Sequence, residues 1–269
     1  MATWQTAFMW PFLFDLLRLT IWIMILAAIF VPLERLFPAR RQKVFRKDFL
    51  DDGAWFFLNG LVIKSVLFLP MAALAIGLHH IVPGAVQSAA GSLPVWLRVI
   101  IALVLGDVGF YWGHRWAHEV PLLWRFHSVH HSAEQIDWLV NTRAHPVDLI
   151  FTRLCGFVPL YAFGLVQTSA SGMVTVLGVL AGTVWGFFIH ANVRWRFGWL
   201  EWLVATPAFH HWHHSKDSHR DSNYAALLPW LDRLFGTHDL PKSLPPAYGI
   251  DSPMPHGVGR LLLRPLTRT

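Results

Sequence analysis

Apolar and polar positions divide this chain into long greasy runs separated by short polar ones. Five apolar stretches, at about 8–33, 55–78, 94–113, 147–166 and 167–189, each approach the ~20 residues a helix needs to cross a ~30 Å hydrocarbon core. The last is the cleanest, with no charge between Gln167 and Ile189. Asp15 and Arg18 interrupt the first, Lys64 the second and Arg153 the fourth. Three residues apart, Asp15 and Arg18 share a helix face and can pair. Residues 191–269 are rich in Trp, Pro and charge and contain no clean span. They read as short helices folded back over one membrane face, with Gly236 in "DRLFGT" as a helix cap. The pattern predicts an all-α integral-membrane bundle of 4–5 transmembrane helices.

Composition agrees. A 269-residue chain with 54% hydrophobic and only 14% charged residues, and a mean hydropathy of +0.42, is too apolar for an ordinary soluble domain. The start, "MATWQTAFMWPFLFD", lacks the basic region of a secretory signal and reads as part of the mature protein. Lys and Arg concentrate in cytoplasmic loops, and Arg35, Arg40, Arg41, Lys43, Arg46 and Lys47 follow the first span, while residues 1–14, 79–93 and 164–170 have none. Five spans then put the N-terminus outside, and the 114–146 loop and the tail from residue 190 in the cytosol. Of the 22 basic residues, 18 fall on that side. The net charge of +6 is thus topology plus attraction to anionic headgroups, and no nucleic-acid partner is needed to explain it. The single cysteine, Cys155, excludes an internal disulfide and any thiolate-rich metal site.

Histidine changes the picture. Sixteen are present, and "HRWAHEVPLLWRFHSVHHSAE" at 114–134 holds five of them. His114 and His118 are four apart and share a helix face. His127 with His130 and His131, and His210 with His213 and His214, repeat one spacing that puts two nitrogens on one face and swings a third toward a neighbouring site. His190 ends the fifth apolar run. Such rings gathered beside a greasy bundle are electrostatically poor if charged and under-bonded if neutral, so they call for a metal. Their number exceeds the four positions of a structural zinc site and suits two five- or six-coordinate ions, iron first, with zinc able to occupy the same nitrogens on purification. The ligand set is His114, His118, His127, His130, His131, His190, His210, His213 and His214. His145 is a further ligand or a support, and His211 stands evenly between ligand, support and bystander. His79, His80, His219, His238 and His256 read as ordinary solvated residues. Asp107, two turns before His114, is expected to hold a ligating ring. Trp195, Trp199, Trp202 and Trp212 are expected at the interface as anchors.

The stretches "DVGFYWGHRWAHEVPLLWRFHSVHHSAE" from Asp107, "NTRAHP" from Asn141, "TPAFHHWHHS" from Thr206 and "NYAALLPWLDRLFGT" from Asn223 resemble the fatty acid hydroxylase and sterol desaturase superfamily of integral-membrane di-iron enzymes. The resemblance covers about residues 100–240 and divides the chain into N-terminal transmembrane helices with a basic loop at 1–100, a di-iron catalytic region at 101–240 and a tail at 241–269. It implies a His-rich cytosolic cap and O2-dependent oxidation of a lipid C–H bond. Some relatives carry another histidine where this chain has Arg194, leaving water, His145 or Asn192 to fill that place. The sequence shows no G-x-G-x-x-G fingerprint for a flavin or nicotinamide site and no haem-attachment or cytochrome-like stretch, so electrons are expected from an external ferredoxin- or cytochrome-type reductase. Arg125, Arg143, Arg194 and Arg196 would dock that acidic donor or a lipid headgroup. The leading expectation is a lipid hydroxylase in a bacterial inner membrane with its histidines facing the cytosol. A desaturase with the same site is the first alternative. A metal transporter or sensor is disfavoured because these ligands lie at one surface, not at the midplane.

Overall fold

The computed structural model describes residues 2–165 and 171–267. The turn expected at 164–170 therefore falls largely outside the described residues. The chain is helical throughout: α1 Ala2–Leu36, α2 Phe49–Ile81, α3 Gly84–Ser92, α4 Val95–Glu119, α5 Pro121–His127, α6 Pro146–Ala162, α7 Ser171–His190, α8 Pro207–His213, α9 Trp230–Leu234 and α10 Val258–Leu263, with single-turn helices between them. Among the described residues the only β pairing is two isolated bridges, Pro38 with Val193 and Ser215 with Tyr248.

Among the described residues two segments, Met9–Leu36 and Val95–Glu119, are long and apolar enough to cross a membrane, and α2 makes a third if its halves, Phe49–Ile63 and Ser65–Ile81, bent by 45°, count as one span. The fourth run yields α6, whose 17 residues reach ~26 Å at 1.5 Å per residue, and the fifth yields α7, whose 20 uncharged residues reach ~30 Å. Trp10, Phe14, Leu17, Met24, Phe68 and Leu69 of the long helices are exposed, as lipid-facing residues should be.

Small residues let α4 and α6 approach closely. A Cβ at Gly109 would collide with the Cys155 carbonyl, and one at Gly113 would come 2.7 Å from the Cys155 Cβ. On the other side, Leu26 and Phe30 of α1 pack with Trp138 and Leu139, with Phe187 of α7, and with Ala191 and Val193. Glu34 closes this layer, accepting from the Trp138 and Asn192 amides at 2.8 Å each.

Beside it lies a buried ion network. Arg46 donates to Asp137 and Asp52 at 2.6–2.8 Å, and Arg143 donates to Asp52 at 2.6 Å. Breaking one partner of such a group leaves a buried charge uncompensated. Two sequence expectations change here. Arg143 is a buried strut through its Nε on Asp52, not an exposed residue for docking a protein donor. Trp212 is buried with its Nε1 on the Ser243 carbonyl, so it is core, whereas Trp199 and Trp202 are 71% and 62% exposed.

Candidate metal centre

The last turn of α4 sets His114 and His118 one above the other. Pro121 starts α5, which ends on His127, and the following turn carries His130 and His131. On the far side, His190 ends α7. Thr206 caps α8 by accepting from the Phe209 amide, and Pro207 fixes its first turn. That short helix delivers His210, His213 and His214.

These nine rings form two groups. His114, His118, His127, His131 and His213 make one, and His130, His190, His210 and His214 the other; within each group the ligand atoms all lie within 4.8 Å of one another. Each H-x2-H-H segment is split between the groups: His130 leaves His127 and His131, and His213 leaves His210 and His214. The groups share a wall, since His131 and His214 stack with ring centroids 4.5 Å apart.

Hydrogen bonds on the outer nitrogens fix the tautomers. The Nδ1 atoms of His114, His213, His130 and His190 donate to the carbonyls of Tyr224, Ser222, Arg143 and Gly186 at 2.7–2.9 Å. His127 Nδ1 donates to Asp148 at 3.0 Å, and His118 Nδ1 to Asp221 at 3.1 Å. A carbonyl only accepts, so each ring bound to one carries its proton outside and points a bare lone pair inward. His130 and His190 then face each other with lone pairs 3.2 Å apart, and His114 and His127 at 3.1 Å. Neutral imidazoles so placed repel, and a cation between them removes the repulsion.

The spacing fits that cation. Metal–imidazole bonds of ~2.1 Å put neighbouring ligand atoms of an octahedron ~3.0 Å apart, and the inward nitrogens sit at 3.0–3.2 Å. The inward Nε2 atoms of His118 and His213 are buried without a hydrogen-bond partner. Burial, reinforced by neighbouring imidazoles, pushes His130 down to about 4 and holds His131, His210, His213 and His214 well below the usual histidine range. These five rings are thus neutral at neutral pH.

Three expected residues fall outside both groups. Asp107 does not touch an imidazole: its carboxylate accepts from the amides of Ala226, Leu227 and Leu228 at 2.7–3.2 Å. Two turns of helix separate it from His114 by ~10 Å, too far for a direct bond. It acts at one remove, because the loop it pins supplies the Tyr224 carbonyl. Asp232 clamps the same loop through the Tyr224 and Ala225 amides at 2.7 and 3.0 Å, and burial raises its carboxyl to about 6. His145 caps α6, its Nδ1 accepting from the Val147 amide and its Nε2 donating to the Leu262 carbonyl. Asn192 pairs with the Arg40 backbone through both amide atoms. His211 is buried outside both groups, with Nδ1 3.0 Å from the Tyr248 hydroxyl.

The ring supports missed in the sequence are Asp148, Asp221, Ser222 and Tyr224. Asp148 alone had a signal, an acidic residue in the first turn of a helix beginning at Pro146. The others act through backbone or from a turn whose position only the fold determines.

Comparison with known proteins adds the following. A family model described as "Fatty acid hydroxylase" matches residues 99–237, more than half of the chain. The ornithine lipid hydroxylase OlsE of Rhizobium tropici is 36% identical over 179 residues, covering 65% of this chain and 52% of that protein. The alkylglycerol monooxygenase of Xenopus tropicalis is 33% identical over 149 residues, 55% of this chain and 32% of that protein. The very-long-chain aldehyde decarbonylase GL1-8 of Oryza sativa subsp. indica is 27% identical over 235 residues, 76% of each chain. The chain thus spans about half the length of the first relative and a third of the second. No solved structure matches.

Proposed function

This chain belongs to the fatty acid hydroxylase family, and from that premise we propose that it is an O2-dependent, two-iron monooxygenase that hydroxylates a C–H bond of a membrane lipid. The carrying observation is the pair of convergent imidazole groups, nine rings gathered about two points beside a shared wall. His114, His118, His127, His131 and His213 would hold one ion, and His130, His190, His210 and His214 the other. Bound there, the pair would supply reductive activation of O2.

The protein's own contribution is to hold those nitrogens deprotonated, oriented and dry. Asp148, 6% exposed, accepts from His127 Nδ1 and keeps that ring turned inward. The balanced reaction, lipid C–H plus O2, two electrons and two protons giving lipid C–OH and water, requires an outside reductant. A ferredoxin- or cytochrome-type donor would supply it, and the exposed Arg194 supports docking of an acidic partner there. Relatives named for ornithine lipid and alkylglycerol substrates support a lipid substrate entering from the bilayer. The proposed topology has 4–5 spans, with α6 and α7 completing the bundle and the imidazoles facing the cytosol of a bacterial inner membrane. The test is lipid mass spectrometry of cells with and without the gene: a lipid heavier by one oxygen is expected only in its presence. A product lighter by two hydrogens would reassign the reaction to desaturation.

A further inference from the structure

At the shared end of α1 and α2 lies a pocket of about 240 Å³ lined by Arg46, Lys47, Asp48, Glu134, Gln135 and Arg143. We propose that this pocket binds the zwitterionic headgroup of the lipid substrate, its anionic group on Arg143 and Lys47 and its ammonium on Glu134 and Asp48. The proposal rests on the lipid-oxidising reading above and specifies which lipids that site accepts.

Arg143 carries the argument. It is 3% exposed, its Nε is committed to Asp52, its Nη1 lies 3.4 Å from the Ser132 hydroxyl and 3.5 Å from the Asp48 carboxylate, and its Nη2 is buried with no hydrogen-bond partner. A buried guanidinium N–H left unbonded is costly, and a phosphate or carboxylate oxygen satisfies it with a charge-assisted bond. The rim has the opposite character: Glu134 is 67% exposed and bonded only to the half-exposed Lys47, an ion pair of a kind worth little and readily exchanged. A floor that donates beneath a rim that accepts complements a zwitterion and repels a purely anionic group. At ~30 Å³ for each water-sized group, the volume suits about eight such groups, the scale of a headgroup.

Position agrees. Half of the pocket's lining comes from the loop joining two long apolar helices and half from the segment between α5 and α6, and beside it Phe45 and Leu50 are 75% and 81% exposed, apolar side chains placed for acyl contact. The Arg143 carbonyl also accepts from His130 Nδ1 at 2.9 Å. A headgroup anchored on Arg143 therefore sits one residue behind the four-histidine group, and anchoring it fixes which carbon of the chain reaches the metals.

The experiment uses the full chain in nanodiscs containing equal phosphatidylethanolamine and phosphatidylglycerol, with bound lipid read by native mass spectrometry. Wild type should retain phosphatidylethanolamine roughly fivefold over phosphatidylglycerol, and Glu134→Lys should reverse the preference. Metal content, unchanged in the variant, reports folding. Should Glu134→Lys lose its metal, Gln135→Lys puts the same charge on the rim and should shift retention the same way. No discrimination by wild type, or no shift in either variant, overturns the proposal. So does equal displacement of the lipid by glycerophosphoethanolamine, which would make the ligand a free zwitterion. Oxygen consumption separates this proposal from the reading beneath it: turnover without headgroup choice overturns the pocket alone, and headgroup choice without turnover overturns the oxidase alone.

Discussion

His127 and His118 both lean on a carboxylate, but the two supports differ in burial. Asp148 is 6% exposed, whereas Asp221 has a side chain 53% exposed. Asp148→Asn should lower metal affinity about 10–100-fold, the usual cost of losing a ring's orienting partner. Asp221→Asn should cost less, because water replaces it; competitive chelator titration of both variants measures the difference. Asp107→Leu strips three amides of their acceptor, each at about 1–3 kcal/mol when buried. It should lower the melting temperature and weaken metal at the five-histidine group first, read by thermal unfolding and metal analysis of one sample. Protons compete with metal only below a ring's own pKa. With His130 held at about 4, its proton competition begins only as pH falls toward that value. Metal retention on stepped dialysis should therefore stay level from about pH 8 to 6, where ordinary histidines near ~6.5 would already be releasing it.

Between elements, the tightest joint is the α4–α6 crossing, and it connects the His114 and His118 helix to the helix bearing Asp148. Gly109→Ala meets the Cys155 carbonyl and Gly113→Ala the Cys155 side chain. Such overpacking costs typically 1–3 kcal/mol, and either variant should lose metal along with stability. Gly53→Ala in α2 meets nothing within 4 Å and should be neutral or stabilising by up to ~1 kcal/mol. Melting curves of the three variants check this ordering. The crossing was invisible in the sequence because Gly109 and Gly113 matter only through Cys155, more than forty residues away. The i, i+4 pairing of His114 with His118 was legible, since it follows from helix pitch alone. Hydropathy likewise marked α6 and α7 as apolar, but apolar runs do not separate lipid-facing from protein-facing helices, so the 4–5 spans expected stand beside two long spans and one bent pair among the described residues, with α6 of 17 and α7 of 20 residues.

At the scale of the whole chain, three segments far apart in sequence converge on one end of the bundle. The histidine boxes announced that convergence because no single segment could satisfy so many rings. Asp107, His145 and Asn192 lie outside both imidazole groups for a common reason: their polar atoms go to backbone groups that the sequence does not reveal. Orientation is checked by accessibility. Cysteines placed in 34–50 and a reporter after residue 269 should be cytosolic, and cysteines in 82–92 should label from outside; outside labelling of the 114–134 segment would reverse the proposed topology. The most direct measurement of the central claim is one turnover experiment. Purified protein carrying two iron ions per chain, given reductant, lipid and ¹⁸O2, should yield a lipid with one labelled oxygen on carbon, and His131→Ala should yield none. A protein that binds two irons yet leaves every lipid unlabelled, or puts unlabelled oxygen from water into the product, would contradict it.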